Sequence, residues 1–83
     1  MPEPPSAETM NAISKGIGEL SRMSGCSAEA MTKLALASDA ARAAGIGPCG
    51  TIVTQDQAEA VLALLRRWYR DTRDRKRRRK ERR

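Results

Sequence analysis

The stretch from Thr54 onward constrains this chain most. Thr54 with Gln57 three residues later forms a capping box, and Asp56 places a negative charge in the first turn of the helix it opens. Ala58, Val61, Leu62, Leu65 and Trp68 then recur at helical spacing and draw one apolar stripe. No helix breaker follows Trp68, so the helix is expected to continue into the basic run that ends the sequence. Within that run, Arg67–Asp71, Arg70–Asp74, Asp71–Arg75 and Asp74–Arg78 all stand at i,i+4, where opposite charges support a helix. Fraying is expected beyond about Lys80.

A helix that is apolar on one side needs a partner, and 83 residues leave room for one small domain. Residues 1–5, MPEPP, read as an extended or disordered lead, because proline fixes φ and removes donors. Ser6 can cap a first helix in which Met10, Ile13, Ile17 and Leu20 form a stripe. Gly16 and Gly18 each weaken it by about 1 kcal/mol relative to Ala, so a break is expected there, with a short second helix over Ile17–Met23. Gly25, Cys26 and Ser27 make a turn, and Ser27 caps an Ala-rich helix holding Met31, Leu34, Ala35, Ser38 and Ala41 and stopping before Gly45. GIGPCG is a loop, and Thr51–Val53 an extended entry or short strand. The Met10–Leu20 and Val61–Trp68 stripes are each other's natural packing partners. Residues 6–65 thus read as a small helical domain and residues 66–83 as a polybasic arm. The fold class expected is all-α or mostly α.

Composition narrows the chemistry. There is no His, and Cys26 and Cys49 are the only cysteines, so the usual four-ligand zinc site cannot be built. Both are expected as free thiols of a reducing, intracellular compartment, Cys26 as a small buried hydrophobe and Cys49 exposed in its loop. No nucleophile stands beside a base and no phosphate-cradling glycine loop occurs, so neither an enzyme nor a cofactor is expected. No apolar run reaches membrane-spanning length, and MPEPPSAE does not read as a signal peptide.

Charge is distributed unevenly. Arg66–Arg83 hold 12 basic residues against Asp71, Asp74 and Glu81, a net of +9; the first 65 residues hold 4 basic and 7 acidic ones, a net of −3. A mildly acidic body thus carries a basic arm whose natural partner is a polyanion. Arg outnumbers Lys there by 10 to 2, which suits bidentate phosphate contact and stacking. The candidate contact residues are Arg66, Arg67, Arg70, Arg73, Arg75, Lys76, Arg77, Arg78, Arg79, Lys80, Arg82 and Arg83. Trp68 continues the apolar stripe and is expected in the core; Tyr69 lies beside it, with its role open.

The segment IGELSRMSGCSAEAM, residues 17–31, places a glycine turn and a Ser cap between two helices, with apolar positions at Ile17, Leu20, Cys26 and Met31. Here the chain resembles the MerR and excisionase type of winged helix-turn-helix proteins, whose members open with a pattern like I-G-E-L-A-x-x-x-G-V-S-x-x-T-L. Ile17, Gly18, Glu19, Leu20, Gly25, Ser27 and Met31 match, with Ser21 for Ala and Cys26 for Val; Thr51–Asp56 followed by Val61 and Leu62 is similar to the family's later helix start. The resemblance spans residues 17–65 and implies that residues 28–37, with Lys33, approach a DNA groove beside a minimal wing. The chain departs from the family in a second helix poor in Arg, Tyr and Trp, and in a wing segment, GPCGTIV, without Arg or Lys. A small helical bundle sharing only the glycine turn is the other reading.

These features point to a small nucleic-acid-binding protein, DNA favoured and RNA an option, as in a regulator, excisionase or packaging-type factor of a phage or mobile element. An RNA-binding or genome-associated assembly protein with an oligomerising body is the alternative. A host-protein adaptor using the arm as a nuclear-targeting tail is a third. A homo-oligomer is expected, since a dimer doubles the arms.

Overall fold

A computed structural model describes residues 2–48 and 50–81, with side chains described through Arg77; Met1, Cys49, Arg82 and Arg83 lie outside the described residues. Four helices follow in order: α1 (Ala7–Ser24), α2 (Ala28–Leu36), α3 (Asp39–Ala43) and α4 (Gln55–Glu81). No strand occurs among the described residues, so the chain is a small all-α fold.

Each start is capped as its sequence dictates. Ser6 Oγ accepts from the Thr9 N–H at 3.1 Å and Ser27 Oγ from the Ala30 N–H at 3.1 Å. At α4 the capping box closes in both directions: Thr54 Oγ1 accepts from the Gln57 N–H, and Gln57 Oε1 accepts from the Thr54 N–H, both at 3.2 Å. The α1 helix stops at Gly25, whose φ of 76° is left-handed and whose N–H donates to the Ser21 carbonyl.

Three expectations fail. The α1 helix does not break at Gly16 and Gly18 but runs unbroken for 18 residues. Burying Ile13, Ile17 and Leu20 is worth about 1.5–3 kcal/mol for each side chain, which outweighs two glycine penalties. The Ala-rich helix, by contrast, does break. Ser38 is extended, its hydroxyl donating to the Ala35 carbonyl at 2.7 Å and accepting from the Ala41 N–H at 3.1 Å, so it closes α2 and caps α3 together. The turn directs Ala41 into the core, and Gly45 and Ile46 then close α3 with N–H bonds back to Arg42 and Ala41, burying Ile46. Cys26 is exposed, because it sits at the outer edge of the Gly25 turn with its backbone bonded to Ser21 and Ser24. Of the two readings of Thr51–Val53, the entry without a strand holds, and no wing strand occurs among the described residues: Gln57 Oε1 takes the Val53 N–H at 2.8 Å as well as that of Thr54, leaving neither for a strand partner.

The core joins Ile13, Ile17 and Leu20 of α1, Met31 and Ala35 of α2, Ala41, Ile46, and Ala58, Val61, Leu64 and Leu65 of α4, with Met10, Leu36, Ile52 and Trp68 packed around it. The α1 and α4 helices run parallel. Gln55 bridges their starts, accepting from the Ser6 N–H at 2.8 Å and donating to Thr9 Oγ1 at 2.9 Å, while its own N–H donates to the Glu3 carbonyl at 2.8 Å. Ten residues on, Leu65 lies against Gly16, and Ser24 ends α1 beside Trp68 and Thr72. From about Arg73 the α4 helix runs on past the end of α1, roughly 12 Å at 1.5 Å per residue.

The two helix-breaking candidates of α1 and its terminal glycine should respond oppositely to alanine. A Cβ at Gly18 meets nothing within 4 Å, so Gly18→Ala should stabilise the protein by about 1 kcal/mol. Gly25→Ala, forced into a positive φ, should cost about 1–2 kcal/mol. Denaturant unfolding followed by circular dichroism measures both; a destabilised Gly18→Ala would refute the account of α1.

Candidate nucleic-acid interface

The orientation of α4 decides what its charges can reach. Ala58, Val61, Leu65 and Trp68 face the other helices, so the 3.6-residue period turns Arg66, Arg70, Arg73 and Arg77 outward, at i, i+4, i+7 and i+11. All four are exposed, as are Arg67, Arg75 and Lys76. The remaining arm residues Arg78, Arg79 and Lys80 belong to α4, but their side chains, like Arg82 and Arg83 altogether, lie outside the described residues.

Charge is sorted across this helix. On the side toward α1, Arg66, Tyr69 and Lys76 adjoin Lys15, Glu19 and Arg22. On the side toward α2 and α3, Asp71, Thr72 and Arg75 adjoin Asp39 and Leu34 along a groove of about 620 Å³ floored by Leu20, Met31 and Trp68. Asp74 stands three residues after Asp71 and four after Arg70, between that edge and the outer row. From Arg66 to Arg77 the α4 helix thus exposes seven cations, with Arg66 and Lys76 on the side toward α1 and Asp71 on the side toward α2 and α3.

Sequence reading missed Lys15 and Arg22. With Glu19 they stand at i, i+4 and i+7 on α1, which marks them as one polar face but says nothing of what lies beside it. Only the parallel pairing with α4 brings them to the basic helix.

The ion pairs expected along α4 do not close. Among the described residues, the one ion pair within 4.0 Å is Lys33–Glu29 on α2, at 3.4 Å. Solvated Arg–Asp pairs gain little, about 0.3–0.5 kcal/mol at i,i+4, and the aspartates act here by lowering net repulsion rather than by contact. Asp74–Arg78 lies outside the described side chains.

Lys33, the residue placed at a DNA groove by the helix-turn-helix resemblance, is thus engaged by Glu29, with the two side chains 77% and 80% exposed. The α2 helix has no net charge and also exposes Leu34, at 56%. The glycine turn and Ser27 cap that such a motif requires are present, and the helix they present is electrically neutral.

Trp68 packs at the core margin as expected from its stripe. Tyr69 is 37% exposed, and the Arg73 guanidinium lies over its ring, 6.0 Å from the centroid, within the outer range of a cation–π contact. Among the described residues no group of three or more His, Cys, Asp or Glu could hold a metal ion, and no helix is long and apolar enough to cross a membrane. Comparison with protein-family models, with curated proteins and with solved structures finds no match.

Trp68 is the last core side chain along α4, so it should anchor the helix beyond it. Trp68→Ala is expected to cost about 2–3 kcal/mol of stability and to speed amide hydrogen exchange from Tyr69 to Arg77 more than around Val61. Uniform acceleration along α4 would contradict this anchoring role.

Proposed function

We propose that this chain binds nucleic acid, and that the contact surface is the cationic face shared by α1 and α4. The observation that supports it best is the row of exposed cations along α4 and its α1 flank. Arg66, Arg70, Arg73 and Arg77 line the outer face of α4, Lys15 and Arg22 adjoin it from α1, and Asp71 lies on the flank toward α2 and α3. A solubilising tail needs net charge but no row of cations aligned on one helix face. A polyanion laid along a helix does need such a row, and Asp74 beside Arg70 offsets part of its attraction. Guanidinium groups suit this partner, since their planar fork bonds two phosphate oxygens at once. The arm is already helical where it leaves the body, so less ordering entropy is lost on binding than for a disordered tail.

A second reading keeps the resemblance to winged helix-turn-helix proteins and lets α2 enter a DNA groove as well. The left-handed Gly25 and the Ser27 cap favour it. The neutral Glu29–Lys33 face and the exposed Leu34 favour the first, in which the body is chiefly a scaffold for the arm.

Titration of DNA duplexes and RNA hairpins by fluorescence anisotropy at 50 to 200 mM salt tests both. Engagement of six or more phosphates should lower affinity by about 10³-fold or more over that range. Lys15→Glu with Arg22→Glu should weaken binding to every sequence alike and flatten the salt dependence, by about one unit of slope for each phosphate no longer neutralised. Asp71→Asn with Asp74→Asn should strengthen it. Should Lys33→Glu reduce affinity for one preferred duplex well beyond that for scrambled ones, α2 reads DNA and the second reading prevails. Absence of binding at 50 mM salt would rule out both.

A further inference from the structure

We propose that the seam between α1 and α4 around Tyr69 holds an unpaired nucleobase, so that the cationic face prefers single-stranded or looped nucleic acid to duplex. This inference rests on the nucleic-acid reading and narrows its substrate class. Two hollows meet at Tyr69. One, of about 310 Å³, has Gly16, Leu62 and Leu65 as its apolar floor, with Lys15 and Arg66 at its rim. The other, of about 340 Å³, is lined by Glu19, Arg22, Met23 and Lys76. Tyr69 and Glu19 line both. The seam thus offers an exposed aromatic ring, an apolar recess beside it, and a pair of cations on either side along the helix axis.

That order matches a nucleotide strand better than it matches a row of phosphates alone. A strand running along the seam would set one phosphate against Lys15 and Arg66 and another against Arg22 and Lys76, leaving the base between them at Tyr69. Every base has a π face to lay on such a ring, and this stacking is largely independent of sequence. The Glu19 carboxylate sits in the middle of the seam, where it repels phosphate but can accept a hydrogen bond from an exocyclic amine. Arg73, held over the Tyr69 ring, supplies a second planar group for a neighbouring base or its phosphate. A duplex keeps its bases stacked inside and could present one to Tyr69 only by unpairing it.

Gly16 adds an independent observation. A Cβ there would meet Leu65 at 3.7 Å, an ordinary contact, so the packing of α1 on α4 tolerates alanine. Glycine in this position leaves the recess open, at the expense of helix propensity.

The test compares one 12-nucleotide sequence as a labelled single strand and as a blunt duplex, in DNA and in RNA, against the full chain at 50 mM salt. The single strand should bind more tightly. Tyr69→Ala should weaken single-strand binding about fivefold to a hundredfold, the weight of one base–aromatic stack, and leave duplex binding unchanged. Tyr69→Phe should retain the wild-type preference. Gly16→Ala should reduce single-strand affinity while raising the unfolding midpoint, which separates a filled recess from a damaged fold. Equal affinity for strand and duplex, or a Tyr69→Ala weakening shared by both, overturns this inference and leaves phosphate binding standing. No binding to any of the four oligonucleotides removes the nucleic-acid reading and this inference with it.

Discussion

The parallel packing of α1 on α4 is the contact from which the rest of the molecule follows. It is pinned at one end by Gln55 and closed along its length by Leu65 against Gly16. Two parallel helices cannot be joined by a short turn, so the chain between them must travel back the full length of the body. The α2 helix, α3 and the loop to Thr54 make that return, and they cover the apolar sides of both long helices on the way. The same pairing sets the rotation of α4 about its axis. That rotation decides which of its charges point outward, which meet α1, and which share an edge with α2 and α3.

Much of the fold is legible in the sequence because it rests on local chemistry. The capping box of Thr54 and Gln57, the caps at Ser6 and Ser27, and the stripe from Ala58 to Trp68 all act within one or two helical turns, and each stands where spacing puts it. The differences arise where distant packing overrides local preference. Gly16 and Gly18 are poor helix residues, yet burial of the Ile and Leu side chains between and beyond them holds α1 straight through. Ser38 misleads in the opposite sense. It follows the helical spacing of its Ala-rich neighbours, although an acid follows Ser38 at the next position, as one follows Ser6 and Ser27 two positions on, in the first turn of each helix. Cys26 reads as buried by analogy with a Val in related patterns, whereas the left-handed turn before it faces water.

The candidate site is half legible. A basic run is visible in any sequence, but its sidedness is not, because sidedness depends on what the other face of α4 touches. Lys15 and Arg22 belong to the surface only through a pairing that joins residues some fifty positions apart. The neutralisation of Lys33 is in principle readable, since Glu29 stands four residues before it. That pair leaves α2 without net charge, while the exposed cations crowd the last helix.

The fasteners between elements share one property. Gln55 and Gln57, the serines and Thr54 make their cross-links with uncharged amides and hydroxyls, and the described core contains no polar or charged side chain. Screening therefore acts on the outside of this molecule and scarcely on what holds it together. If the α1–α4 face binds a polyanion as proposed, the ion concentration that strips it away would leave the scaffold folded, and release and unfolding would be governed by separate physical variables. Release and rebinding of such a ligand would then require no refolding.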